Sequence, residues 1–183
     1  MKGVVFTEFM EMVEDRFSLE IAERLIEESN LASRGIYTSV GTYDHQEMVT
    51  LVTNLSALVG MPVPDLLHEF GRHLFKQFVI KFPEFFEKIQ STFDFLPQVE
   101  SYVHLEVKKL YPDAELPTFS CAFPGPDRLD MTYRSVRNLP DLAEGLILGC
   151  TEHFGETLDI KRETLPGDPP GVLFSIISAK EKK

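Results

Sequence analysis

The chain has 183 residues, 43% of them hydrophobic and 26% charged, a length and composition that predict one globular domain spanning residues 1–183. Its 29 acidic and 18 basic residues give a net charge of −11, which disfavours nucleic acid and anionic membranes as partners, since the only basic run is Lys180 to Lys183. No apolar run approaches the ~20 residues of a membrane span, and no apolar secretion signal opens the chain. Two cysteines cannot form a disulfide framework. A soluble, cytoplasmic protein is therefore expected.

The apolar residues between residue 3 and about residue 111 mainly follow helical spacing. Phe6, Phe9 and Val13 lie on one face of a first predicted helix, and Ser18 can cap a second. The stretch from Ser33 to Thr42 contains two glycines and is interpreted as a loop.

Helix start and stop signals continue beyond this loop. Asp44 followed by Glu47 predicts the capping-box-like start of a third helix, which Gly60 ends. Pro64 opens a fourth helix and Pro83 a short helical segment. A last helix is predicted from about Thr92 to Tyr111, where Pro112 stops it.

After Pro112 the pattern changes to short strands with turn signals between them. Thr118 to Phe123 and Leu129 to Arg137 predict a hairpin, and a helix begins near Asn138. Two further strands are predicted over 158–163 and 172–178. The predicted fold class is therefore α+β, with a helical part over about 1–111 packed on an antiparallel sheet and a helix over about 112–183.

The predicted strand from Leu129 to Arg137 carries an unusual combination of side chains. Alternation places Leu129, Met131, Tyr133, Ser135 and Arg137 on one face, which begins apolar and ends with two hydroxyls and a guanidinium. Such a face suits an amphipathic carboxylate ligand, because an arginine can grip a carboxylate bidentately. The alternative is the solvated half of a hairpin with a surface arginine.

One of the five histidines stands apart from the others. His45, His68, His73 and His153 have charged or polar neighbours and are predicted to lie on the surface. His104 lies at the edge of an apolar helical stripe that consists of Leu96, Val99, Val103, Val107 and Leu110. A histidine there is either a hydrogen-bonded boundary residue or an axial haem ligand.

Taken together, these features resemble the haem nitric oxide/oxygen-binding (H-NOX) family, stand-alone bacterial type, related to the haem domain of soluble guanylate cyclase. The resemblance is carried by Met1-Lys2-Gly3, by His104, by the segment Tyr111 to Pro117, and by Tyr133-x-Ser135-x-Arg137. It spans essentially the whole chain. A haem between the helical part and the sheet part is the expectation that follows.

The resemblance implies a role for several residues around a haem b group. His104 would be the proximal iron ligand, and Tyr133, Ser135 and Arg137 would hold the haem propionates. Pro117 would press on the porphyrin. Cysteine is absent from residues 151–183, so this chain departs from relatives that carry a Cys-rich zinc site there.

The resemblance also implies which residues form the distal wall above the iron. These are Val5, Phe9, Leu74, Phe78, Leu142 and Leu146. Leu142 stands where oxygen-binding relatives carry a tyrosine, so the wall has no hydrogen-bond donor for O₂, and binding of nitric oxide and CO is expected instead. Without the resemblance, the same residues would be interpreted as ordinary core.

The implied function is that of a gas sensor rather than an enzyme. Nitric oxide would weaken the bond between the iron and His104, the haem would relax against Pro117, and the helical part would shift. The implied partner acts in trans and is a sensor histidine kinase or a cyclic-di-GMP enzyme. The alternatives are a haem-dependent oxygen carrier or enzyme, and a haem-free interaction module.

Overall fold

The computed structural model describes residues 1–178, which form seven α-helices and four strands. The basic run Lys180 to Lys183 lies outside these residues. The helices are α1 Gly3–Arg16, α2 Leu19–Ser29, α3 His45–Val59, α4 Val63–Lys81, α5 Thr92–Phe95, α6 His104–Leu110 and α7 Pro140–His153. A 3₁₀ turn covers Pro83–Phe85 and a π-helical turn covers Val99–Val103.

The four strands form one antiparallel sheet in the order β1-β2-β4-β3. They are β1 Thr118–Gly125, β2 Arg128–Arg134, β3 Leu158–Leu165 and β4 Gly171–Ser178. Tyr133 of β2 lies between Phe119 of β1 and Val172 of β4. The predicted α+β class and the predicted hairpin are confirmed.

Two hydrophobic clusters make up the core. The first lies among α1, α2, α3 and α4, and the second lies between the sheet, α5 and α7. Leu146 of α7 packs against both clusters. Helix α7 therefore packs against the helical part and against the sheet, and both parts bury apolar surface on it.

The backbones of α4 and α7 approach so closely that only glycine fits at their crossing. A Cβ atom at Gly71 would lie 2.5 Å from the backbone of Gly145, and one at Gly145 would lie 2.6 Å from the carbonyl oxygen of His68. Real Cβ atoms do not approach backbone atoms to these distances. These two glycines therefore bring the two helices into direct contact.

The predicted helix ends are largely confirmed. The Ser18 hydroxyl accepts a hydrogen bond from the Ile21 N–H, and the Asp44 carboxylate accepts one from the Gln46 N–H. Gly60 ends α3 with φ +70°. The prediction for Glu47 was wrong: its carboxylate accepts hydrogen bonds from the N–H and hydroxyl of Ser33 and so anchors the preceding loop.

The helix predicted from Thr92 to Tyr111 is interrupted. Pro97 lies just after α5, where its missing N–H and its ring disfavour continuation of the α-helical ladder. A π-helical turn over Val99–Val103 precedes α6. The predicted stripe is also partly wrong, because Leu110 is 62% exposed.

The two cysteines are free thiols. Cys150 is buried, as expected of a small hydrophobic residue, whereas Cys121 is only half-buried. Burial raises the pKa of Cys121 to about 11 and that of Cys150 to about 12. Both side chains are therefore protonated at neutral pH.

Within residues 1–178, no single helix is long and apolar enough to span a membrane. The helix pair His45–Val59 and Val63–Lys81 passes the length and composition test only when taken together, and it is bent by 113°.

A buried carboxylate and its cationic partner lie where α1 meets α4. The Glu8 carboxylate is 1% exposed and forms an ion pair with Lys81. His73 places its Nε2 atom 3.6 Å from the Glu8 Oε2 atom, and neither of these two atoms has a hydrogen-bond partner. His73 and His68, which were predicted to lie on the surface, are only partly exposed, with 16% and 23% of their side chains accessible.

We expect Lys81→Met to destabilise the fold, because it leaves the buried Glu8 carboxylate without its cation while retaining much of the apolar stem. The expected loss is about 1–3 kcal/mol in the free energy of unfolding, measured by urea denaturation at pH 7. Lys76→Met, at an exposed position on the same helix, is the matched control. Equal stability of the two variants would contradict this role of Lys81.

Candidate functional site

The segment from Leu129 to Arg137, which was predicted to bind a carboxylate, leaves the sheet earlier than its alternation suggested. Strand β2 ends at Arg134, and Ser135 to Arg137 continue into a turn. Leu129, Met131 and Tyr133 are buried on one face, as predicted. The prediction that alternation also places Ser135 and Arg137 on that face was wrong, because both residues lie beyond the strand.

Tyr133 lies at the end of β2 with its hydroxyl directed to the start of α7. The side chain is 4% exposed, and its hydroxyl oxygen accepts a hydrogen bond of 3.0 Å from the Leu139 N–H. A tyrosine hydroxyl can accept and donate at the same time. Its proton therefore remains available to an acceptor such as a carboxylate.

Ser135 and Arg137 are joined by a short local contact. The Ser135 hydroxyl accepts a hydrogen bond of 3.2 Å from the Arg137 N–H, which leaves the hydroxyl proton free to be donated. The Arg137 side chain is only 14% exposed. Among residues 1–178 its ion-pair partner is Glu115, at 3.3 Å between Nη2 and Oε2 and itself 78% exposed.

A mostly buried arginine normally has a well-held anionic partner. The single contact with Glu115 is made to an exposed side chain at the long end of hydrogen-bond distances, and such pairs stabilise proteins weakly. Most of the guanidinium donors of Arg137 therefore have no strong acceptor in the described chain. This arrangement fits a ligand carboxylate.

His104 begins α6 directly after the π-helical turn. Its side chain is 13% exposed, and its Nδ1 atom lies 3.1 Å from the Glu100 Oε2 atom. Burial lowers the pKa of His104, although the hydrogen bond to Glu100 acts in the opposite direction. The ring is thereby favoured in its neutral form at pH 7, the form in which an imidazole binds a metal.

His104 and Tyr133 are connected through aromatic contacts with Phe119. The ring centroid of Phe119 lies 5.7 Å from that of His104 and 5.6 Å from that of Tyr133. Pro117 is half-buried and immediately precedes β1, two residues before Phe119. The structure thus places His104 and Tyr133 in contact with the same residue, Phe119, and Pro117 is close to Phe119 in sequence.

The six residues predicted to form an apolar wall belong to one hydrophobic cluster. Phe9, Leu74 and Leu142 are buried in it. Val5, Phe78 and Leu146 are partly buried against it. They come from α1, α4 and α7, so residues far apart in sequence belong to one cluster. That they form the distal wall stays a prediction. Their side chains contain no hydrogen-bond donor.

One residue of the site was missed in the sequence interpretation. Glu100 contacts both His104 and the N–H of Phe119, at 3.1 Å each, through the same carboxylate oxygen. Its position four residues before His104 is the spacing at which helical side chains meet, and this was the available signal.

Comparison with known proteins identifies a family. The family pattern described as "Haem-NO-binding" matches residues 2–162 of the chain. The H-NOX protein from K. algicida, solved in its Fe(II) unliganded form, is 37% identical, with a TM-score of 0.90 and coverage of 100% of this chain and 99% of that one. A comparison with curated proteins gave no match.

Two further solved structures carry a gas ligand. The H-NOX from Shewanella woodyi in the Fe(II)CO ligation state is 41% identical, with a TM-score of 0.85 and coverage of 100% of this chain and 97% of that one. The H-NOX protein from S. oneidensis in the Fe(II)NO ligation state is 25% identical, with a TM-score of 0.87 and coverage of 98% and 100%.

We expect Tyr133→Phe to lower the free energy of unfolding by about 1–2 kcal/mol, because the Leu139 N–H loses its acceptor. Tyr102→Phe is the matched control, since Tyr102 is 41% exposed. Urea denaturation of the cofactor-free proteins provides the measurement. If both variants unfold at the same urea concentration, the hydrogen bond from Leu139 contributes nothing.

Proposed function

Because the chain belongs to the haem-NO-binding family, whose members are gas-sensing haem domains, we propose that it binds one haem b group through His104 and senses nitric oxide at ferrous iron. The haem would supply the iron at which the gas binds. The residues of the chain hold the haem, orient the histidine and exclude polar groups from the distal side.

The observation that carries this proposal is the position of Arg137. It is a mostly buried guanidinium with one weak, exposed partner. The same short segment carries the hydroxyls of Tyr133 and Ser135, each of which accepts a backbone hydrogen bond and keeps a proton to donate. Haem carries two carboxylates on an apolar ring. A cationic group and two hydroxyls carried by one short segment suit that ligand.

His104 has the properties of a proximal ligand. It is mostly buried, its pKa is lowered by burial, and its Nδ1 atom is occupied by Glu100, which leaves Nε2 for the iron. Pro117 is proposed as the residue that presses on the porphyrin. Its position directly before β1 supports this role.

The apolar wall supports nitric oxide and CO as the ligands. Val5, Phe9, Leu74, Phe78, Leu142 and Leu146 offer no donor to stabilise bound O₂, and Leu142 is buried in this cluster. H-NOX relatives with the Fe(II)NO and Fe(II)CO states agree with this choice.

Signalling requires a partner that binds the gas-bound and gas-free states with different affinity. We place that partner in trans, as a sensor histidine kinase or a cyclic-di-GMP enzyme. Helix α7 contacts both core clusters through Leu146. It is therefore the element through which a change at the distal wall would reach the sheet.

We expect His104→Gly to lose haem, or to retain it only when imidazole is supplied, because a glycine leaves space for imidazole but provides no ligand. Haem content after purification and the absorption spectrum of the reduced protein are the measurements. His153→Gly, at an exposed position at the end of α7, is the control and should retain haem. Unchanged haem content in His104→Gly would refute the assignment of the proximal ligand.

The reduced wild-type protein should bind nitric oxide and CO and form no stable O₂ complex in air. Leu142→Tyr introduces a hydroxyl into the apolar wall and should alter ligand spectra or binding rates, although a stable O₂ complex also requires correct orientation of that hydroxyl. Absorption spectra with and without each gas provide the measurement.

The outcomes separate the candidate functions. A stable O₂ complex of the wild-type protein would indicate an oxygen carrier. A colourless protein that takes up no added haem would indicate an interaction module that grips another acidic ligand. An unperturbed Leu142→Tyr variant would show that Leu142 does not face the ligand.

A further inference from the structure

The Glu100 carboxylate connects His104 to the sheet through a single oxygen atom. Oε2 lies 3.1 Å from the His104 Nδ1 atom and accepts a hydrogen bond of 3.1 Å from the Phe119 N–H. The carboxylate is therefore held by the backbone of β1 at the same time as it contacts the histidine. This second bond limits the orientations that Glu100 can adopt.

The contact determines which nitrogen of His104 carries the proton. An ionised carboxylate only accepts hydrogen bonds, so the proton between Oε2 and the ring belongs to Nδ1. Within residues 1–178, the Nε2 atom of His104 forms no hydrogen bond. The ring thus presents Nε2 with a free electron pair, which is the tautomer that a metal ligand needs.

The backbone beneath His104 departs from the regular α-helix. The His104 N–H bonds to the carbonyl oxygen of Val99, five residues earlier, and the π-helical turn covers Val99–Val103. Turns of this kind are rare and occur frequently at functional sites. The turn contains Glu100 and ends directly before His104. It is therefore the backbone that connects these two residues.

We propose that Glu100 is a positioning residue for His104, holding the imidazole in its Nδ1-protonated tautomer and in a fixed orientation relative to β1. This inference rests on the proposed function, in which His104 binds the haem iron. By accepting the Nδ1 proton, Glu100 increases the basicity of the ring and strengthens the bond that Nε2 forms with iron.

Two substitutions test the proposal. The main readout is the iron–histidine stretching frequency, which does not depend on the stability of the fold. Glu100→Ala removes the acceptor and should lower the iron–histidine stretching frequency in the resonance Raman spectrum of the reduced protein. It should also weaken haem affinity about 10–100-fold, the usual effect of losing such a partner. Glu100→Gln keeps an oxygen acceptor of lower strength, so its frequency and haem dissociation rate should lie between those of Glu100→Ala and wild type.

Glu106→Ala is the matched control, because this acidic residue lies on α6 and pairs with Lys109 rather than with His104. Its stretching frequency should equal that of wild type. A wild-type frequency in Glu100→Gln or in Glu100→Ala would overturn the proposal, and Glu100→Gln decides the question by itself if Glu100→Ala does not fold.

The result also distinguishes failure of this inference from failure of the proposed function. If His104→Gly loses haem while both Glu100 variants keep the wild-type frequency, His104 is the ligand and Glu100 has no positioning role. If His104→Gly keeps haem and its spectrum, both proposals fall together.

Discussion

The backbones of α4 and α7 touch at Gly71 and Gly145, and the rest of the molecule is arranged around this contact. A side chain at either position would have to occupy space that the other backbone fills, so only glycine allows the two helices to meet. The approach brings Leu142 of α7 into the same cluster as Leu74 of α4. The same helix, through Leu146, also packs on the sheet. The close crossing therefore assembles the apolar wall and attaches it to the second core.

Polar contacts also connect the helical part to the segments around the sheet. The Lys2 ammonium forms an ion pair of 3.1 Å with Asp113 and a hydrogen bond with Thr42, which joins the start of α1 to the loop that leads to Pro117. Glu100 joins the turn before α6 to Phe119 of β1. Each contact is partly exposed, so each stabilises the fold modestly. Their importance lies in position, because they border the two segments that carry His104 and Arg137.

The site shows where local patterns succeed and where they fail. The residue types and spacing of Tyr133, Ser135, Arg137 and His104 predicted carboxylate binding and metal binding, since both require particular side chains, and these roles stay predictions. Where β2 ends was not visible, because the alternating pattern continues through Ser135 and Arg137 while the backbone turns away after Arg134. Nor were the burial of Glu8 and the partial burial of His73 visible, because both depend on how α1 packs on α4.

By itself, the sequence determined the α+β class, most helix boundaries and the residue types of the candidate site. These depend on interactions within one or two turns, namely hydrophobic periodicity, caps and the backbone limits of glycine and proline. Only the tertiary structure decided that Glu47 anchors a loop instead of closing a capping box, that Glu100 contacts both His104 and Phe119, and that Glu8 is buried beside His73. Each of these involves a partner on another element, and the free energy of such a contact depends on how elements distant in sequence pack together, which no local pattern encodes.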